Sequence, residues 1–151
     1  MKYTYAAVFT EAAPDERGFT VQFYDVPGAI TEGDRMKECV ENAEDVLGMM
    51  LCSMEDRGEP FPTPTPMENI PLEVNQLVKL ITADLDHQRQ IQRAFDENPI
   101  KYAREQAGMN IKELADFLDA PYRTIQDWNA GKKRPPRWIE RILVDYIMQS
   151  K

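Results

Sequence analysis

Residues 2–11 alternate large and small side chains, with Tyr3, Tyr5, Ala7 and Phe9 on one side of the chain. A period of two rich in aromatics predicts a β-strand, because successive side chains of extended backbone point to opposite faces. Residues 12–18, with Pro14 and Gly18, read as a turn. Phe19, Val21 and Phe23 then alternate with Thr20, Gln22 and Tyr24, which predicts a second strand. A connection this short favours an antiparallel hairpin. Pro27-Gly28 predicts another turn, residues 29–31 a short third strand, and Gly33-Asp34 its end. From Met36 the period changes. Met36, Val40, Ala43, Leu47, Met50, Leu51 and Met54 form one apolar stripe at helical spacing, and Glu38, Glu41, Glu44, Asp45, Glu55 and Asp56 lie mostly off it. This predicts a long helix packed under the sheet, with Thr31 or Asp34 capping its start and Gly58 just past its end. Residues 60–66, with proline at every second position, predict an extended connector. A fourth strand is expected over 74–81 and a polar helix over 84–95.

The pattern changes again at Asn98-Pro99, a capping residue followed by proline at the first helical position. Ile100, Ala103 and Ala107 mark the buried side of that helix and Gly108 its end. Asn110-Ile111-Lys112-Glu113 has the form of a capping box, opening a short helix with Leu114, Ala115 and Leu118 inside. Asp119-Ala120-Pro121 predicts a turn. A third helix is expected from about Tyr122 to Asn129, burying Ile125 and Trp128 and stopping at Gly131. A fourth is expected to bury Ile139, Ile142, Leu143, Tyr146 and Ile147.

The chain has 151 residues, 42% apolar and 29% charged, as expected of a soluble globular protein with room for two small domains. No apolar run is long enough for a membrane span and no secretory signal pattern is present, so a cytoplasmic location is expected. Cys39 and Cys52, thirteen residues apart on one helix, point in different directions and form no CxxC pair; they are expected to be reduced thiols. A single histidine, His87, cannot build a multi-histidine metal centre. The net charge of −8 is unevenly spread. Residues 1–96 hold 8 Lys+Arg against 18 Asp+Glu, a net of −10, and residues 97–151 hold 10 against 8, a net of +2. An acidic part suited to basic partners precedes a mildly basic part suited to an acidic one.

The stretches 5–10, 18–23, 25–34 and 58–62 (Tyr5-Ala6-Ala7-Val8-Phe9-Thr10; Gly18-Phe19-Thr20-Val21-Gln22-Phe23; Asp25-Val26-Pro27-Gly28 through Gly33-Asp34; Gly58-Glu59-Pro60-Phe61-Pro62) resemble the HicB antitoxin family. The resemblance covers about residues 1–87 and implies a partial RNase-H-like domain that neutralises a small HicA-type RNA-cleaving toxin. Residues 98–138, with Leu114, Ala115, Ile125, Trp128, Gly131 and Pro135 in place, resemble a Cro/C1-type helix-turn-helix. Three residues depart from that pattern: Ile111 stands at a usual glutamine, Asp119 at the turn glycine, and Asn129 at a common glutamate. Asp tolerates positive φ better than most residues, so the turn is expected to survive.

The expected architecture is therefore α+β, a small antiparallel sheet with a long helix followed by an all-α helix-turn-helix domain. Its expected divisions are 1–87, a helical linker 88–97, and 98–151. In a helix-turn-helix the recognition helix enters the major groove by its N-terminal end. That makes Tyr122, Arg123, Gln126 and Asp127 the candidates for base edges, since Arg suits guanine, Gln adenine and Asp cytosine. Lys132, Lys133, Arg134 and Arg137 are candidates for phosphates. The expected partners are the toxin, operator double-stranded DNA and further copies of the chain in a homodimer or larger assembly. No cofactor, metal or membrane partner is expected. A stand-alone transcription regulator, whose first domain dimerises or senses a ligand, is the alternative reading. Asp25, Asp84 and Asp86 are the only carboxylates suggestive of nuclease chemistry, and turn and helix-capping roles suffice for them, so no enzyme is expected.

Overall fold

The computed structural model describes residues 1–151. Four strands, β1 (Lys2–Glu11), β2 (Phe19–Phe23), β3 (Ile30–Gly33) and β4 (Gln76–Asp84), form one antiparallel sheet in the order β3-β2-β1-β4. Helix α1 (Met36–Asp56) follows β3, and a single 3₁₀ turn at Met67–Asn69 precedes β4. Helices α2 (Leu85–Glu97), α3 (Pro99–Gln106), α4 (Ile111–Leu118), α5 (Tyr122–Asn129) and α6 (Arg137–Gln149) complete the chain. The architecture is α+β, a small sheet with a long helix followed by an all-helical part. The chain divides into two compact units, Met1–Arg89 and Gln90–Lys151, and the division falls inside α2.

Two strands begin and end later than the side-chain pattern suggests. The third runs over Ile30–Gly33 rather than 29–31, and the fourth over Gln76–Asp84 rather than 74–81. Backbone partners decide these limits: Gly33 pairs with Phe19, and Asp84 with Lys2, while Val74 is fully exposed.

In the first unit Tyr5, Ala7, Phe9, Val21, Phe23, Ile81 and Ala83 pack against the face of α1 that carries Cys39, Ala43, Leu47, Leu51 and Cys52. Met36, Val40, Met50 and Met54 sit half-buried at its rim. The two cysteines, which the helical angle sets in different directions, both lie within α1. Both are free and both contribute to the core of the first unit. Burial pushes both thiols above their ordinary value. Neither Thr31 nor Asp34 caps α1. Arg35 is the N-cap residue, and the Glu38 carboxylate instead accepts the Asp34 N–H at 3.0 Å. Gly58 does lie just past the end, where the Glu59 N–H reaches the Met54 carbonyl at 2.9 Å.

The proline-rich connector is fastened to the sheet. Phe61 packs edge-on against Tyr3 with ring centres 4.8 Å apart, and the Tyr5 hydroxyl donates to the Pro62 carbonyl at 2.8 Å. Asp25 accepts from the Thr65 N–H at 2.7 Å and from the Thr65 hydroxyl at 2.6 Å. Asp25 thus anchors the connector forty residues away, which goes beyond the turn-forming role expected of it. Asp84 accepts from the backbone N–H of Asp86 and His87, as a capping carboxylate does.

The second unit has its own core of Ile100, Ala103, Leu114, Ala115, Ile125, Val144 and Ile147, with Phe95 packed against it. Asn98 caps α3 through the Lys101 N–H, and Asn110 caps α4 through the Glu113 N–H at 2.8 Å while its amide donates to the Glu113 carboxylate at 2.6 Å. Asn110→Ala should therefore lower thermal stability of this unit by ~1 kcal/mol, whereas an unchanged unfolding midpoint would mean water satisfies the freed N–H groups equally well. Helix α6 differs from expectation. Val144 and Ile147 are buried, Ile139 and Leu143 half-buried, and Ile142 and Tyr146 exposed. The core reaches only one side of that helix, and the wider apolar pattern belongs to a second face.

Candidate functional site

In the second unit α4 and α5 are joined by a tight turn at Asp119, which adopts left-handed φ 51°, ψ 44°. The Ala120 N–H returns to the Ala115 carbonyl at 2.9 Å, and the chain enters α5 through Pro121. The far end of α5 is bound by side chains. The Asn98 amide donates to the Trp128 and Asn129 carbonyls, at 3.0 and 3.2 Å. Arg104 donates through Nε to the Asn129 side chain at 3.0 Å and through Nη1 to the Met109 carbonyl at 2.6 Å. Arg104 is a positioning residue that sequence reasoning did not mark. Spacing gives no signal for it, because its acceptor on Asn129 lies 25 residues away in sequence.

Buried Ile125 fixes which side of α5 faces outward. Tyr122, Arg123 and Gln126 are exposed and fall within about 100° of one another around the helix. Asp127 is not with them. It is only 7% exposed, between Arg123 Nε and Lys133 Nζ, each 3.4 Å away. Its position one edge round from the outward face removes it from the base-reading candidates and makes it a holder of two cations.

Beyond α5, Gly131 at φ 71° lets the chain reverse, and the Lys132 N–H closes on the Asp127 carbonyl at 3.0 Å. The four cations that follow are unequal. Arg134 donates to both oxygens of Glu140, at 3.1 and 2.8 Å, and Glu140 is 7% exposed. That hydrogen-bonded carboxylate pushes the Arg134 guanidinium above its ordinary value. Lys133 shares Asp127, whereas Lys132 and Arg137 are exposed and carry no ion pair. Lys112 and Tyr122 border a depression at the start of α4 with Arg104, Asn110 and Ile111. Lys112 thus joins the cations near a helix N-terminus, where anions bind readily.

The first unit offers a different surface. On the sheet face opposite α1, β-pairing aligns Leu80 with Ala6 and Val78 with Val8, and Gln22 with Ile30. Leu80 is 55%, Ile30 51% and Tyr24 47% exposed, so this side presents apolar groups within an acidic unit. No group of three or more His, Cys, Asp or Glu side chains is placed to hold a metal ion. No helix is long and apolar enough to cross a membrane.

The first unit is a four-stranded antiparallel sheet backed by one long helix, and the second is all-helical. The sequence model of the "HicB_like antitoxin of bacterial toxin-antitoxin system" matches residues 5–96, and the chain belongs to this antitoxin family, not to a family of enzymes. It is 33% identical over 76 residues to Antitoxin HicB of Escherichia coli (strain K12), covering 46% of this chain and 55% of the relative. It is 34% identical over 76 residues to Antitoxin HicB 1 of Photorhabdus laumondii subsp. laumondii, covering 48% of this chain and 49% of that one. The chain thus spans about half the length of the curated relatives it matches. A chain from a toxin-antitoxin complex from Streptococcus pneumoniae has a similar fold, with a TM-score of 0.54 and 16% identity over 88% of this chain and 100% of that one.

Proposed function

We propose that this chain neutralises a small basic HicA-type toxin through residues 1–87 and represses its own operon by binding operator DNA through residues 98–151, with 88–97 as the helical link. Membership of the antitoxin family over residues 5–96 is the observation that carries the first half. The net charge of −10 over residues 1–96 speeds encounter with a cation-rich partner, and the exposed apolar sheet face supplies contact area. Copurification with the small basic protein of the neighbouring gene tests it. Leu80→Asp should abolish that complex while leaving the circular dichroism spectrum intact. Deletion after Glu97 should preserve it, and loss in a folded truncation would show that the second unit takes part.

The second half rests on the outward placing of Tyr122, Arg123 and Gln126 and on the exposed, unpaired cations Lys132 and Arg137 that follow α5. In this reading the three side chains of α5 meet base edges, and Lys132, Arg137, Lys133 and Lys112 meet phosphates. Arg134 and Asp127 support the others from within. Two copies share one operator, which gives the specificity that a single three-residue reader lacks. Arg123→Ala should cost ~1–3 kcal/mol on the operator and relax preference at one base pair. Lys132→Ala should weaken binding to all sequences and lower the slope of log affinity against log salt by about one. Equal effects of both on operator and random DNA would place Arg123 on a phosphate.

A further inference from the structure

A cleft of about 740 Å³ opens in the second unit, between the end of α2, the start of α3 and α6. Sites for small molecules run from about 300 to 1,000 Å³, so this one is large enough to enclose a ligand. Phe95, Pro99, Pro135 and Val144 give it apolar walls. Val144 belongs to the core and Phe95 packs against it, so an apolar guest would meet walls that are already in place.

The charges around these walls are of two kinds. Arg134 and Glu140 satisfy each other through two hydrogen bonds. Asp96 accepts from the Gln92 amide at 2.9 Å, whereas Arg137, Arg141 and Asp145 are exposed and form no ion pair within the chain. The free charges are sorted by position. Arg137 and Arg141 occupy the first two turns of α6, whose N-cap residue, Pro136, accepts no first-turn N–H through a side chain. The positive end of the helix therefore adds to the two cations. Asp145 stands two turns beyond Arg137, about 12 Å along the helix axis. A small anion would use the cations and leave the apolar walls and Asp145 without a partner. A neutral apolar molecule would leave every free charge unmatched. A single amino acid carries its ammonium and carboxylate on one carbon and cannot span the distance. Three residues of extended peptide reach about 10 Å, and the Arg137 and Asp145 side chains close the remainder.

We propose that this cleft binds a short apolar peptide with both ends free, its carboxylate toward Arg137, its side chains against Phe95, Pro99 and Val144, and its ammonium toward Asp145. The site does not rest on the proposed DNA reading. Because Arg137 is also a proposed phosphate contact, competition between peptide and DNA follows only where both readings hold, and the test contains no DNA. The experiment is a titration of the isotope-labelled full chain with the tripeptide leucyl-phenylalanyl-leucine, followed through its backbone amide chemical shifts. Binding should saturate with a Kd of about 1 mM or tighter, with the shifts confined to residues 95–99 and 134–145. Amidating the carboxylate of the peptide, or acetylating its amine, should each weaken binding about tenfold, because each removes one charge-assisted contact. Arg137→Glu should weaken the free peptide about tenfold or more and leave the amidated one unchanged, and Asp145→Lys should do the same for the free and the acetylated peptide. Absence of saturation at about 5 mM, shifts centred outside the cleft, equal binding of the three peptides, or charge variants that weaken all three alike would overturn the proposal.

Discussion

Gly18→Ala is expected to destabilise the first unit by ~3 kcal/mol or more, through backbone strain and overpacking together. Gly18 closes the β1–β2 turn at φ 93°, with its carbonyl accepting the Ala12 N–H at 3.0 Å. An added Cβ would stand 2.1 Å from the Gly33 carbonyl oxygen and 2.8 Å from the Asp34 Cα, both backbone atoms. Nothing there yields cheaply. Gly33 is paired with Phe19 in the ladder, and its other side lies against Cys39 at the start of α1. The methyl group must therefore push β3 off the edge of the sheet or open the turn. Gly28 provides the control. Its φ of 91° is equally unusual, but a Cβ there would meet only the Met50 methyl at 3.5 Å. Gly28→Ala should cost only the conformational strain, ~1 kcal/mol. Hydrogen exchange at β1 and β2 amides, read beside thermal unfolding, measures both within the first unit. Equal losses from the two variants would mean that β3 moves aside at no cost.

That close approach explains why a glycine opens the Gly18-Phe19-Thr20-Val21 stretch, though the residue pattern alone shows only a turn. The pattern reads well wherever neighbours in sequence decide the structure. The long stripe of α1, the Asn98 and Asn110 caps and the left-handed Asp119 are all local matters of spacing and backbone preference. It reads poorly where a distant group decides. The limits of β3 and β4 depend on partners in β2 and β1. Asp25 looks like half of a turn until Thr65 arrives beside it. On α5, spacing separates Ile125 from Tyr122, Arg123 and Gln126, but it cannot show that Lys133 folds back over Asp127 after the Gly131 turn. On α6 apolar spacing marks two faces as one, and only the packing of Val144 and Ile147 into the core separates the buried face from the exposed one. Family membership fixes what kind of protein this is.

Arg134→Ala should lower the stability of the second unit by ~3 kcal/mol, because it strands a nearly buried carboxylate. Arg134 sits across the Pro135-Pro136 bend from Glu140, so the pair ties the loop after α5 to the first turn of α6. Glu140 is 9% exposed at the side chain and Arg134 52%, so the guanidinium keeps part of its hydration while the carboxylate loses nearly all of its own. The cost of losing the cation is accordingly below that of a fully buried pair, but well above that of a surface ion pair. The double variant Arg134→Met/Glu140→Leu removes both charges and keeps apolar volume against Phe95 and Val144, which line the same cleft. It should recover most of the lost stability, since a paired buried charge is often no better than a well-packed apolar replacement. If the second unit binds DNA as proposed, the same variant also decides what Arg134 does there. If the guanidinium only braces the loop, the refolded double variant keeps the wild-type salt slope while Lys132→Ala lowers it by about one. If Arg134 also neutralises a phosphate, the double variant loses that unit of slope despite its restored fold. The bidentate contact with Glu140 leads us to expect the first result. A double variant as unstable as Arg134→Ala would show instead that the loop needs this particular ion pair for its geometry, and not merely the absence of an unpaired charge.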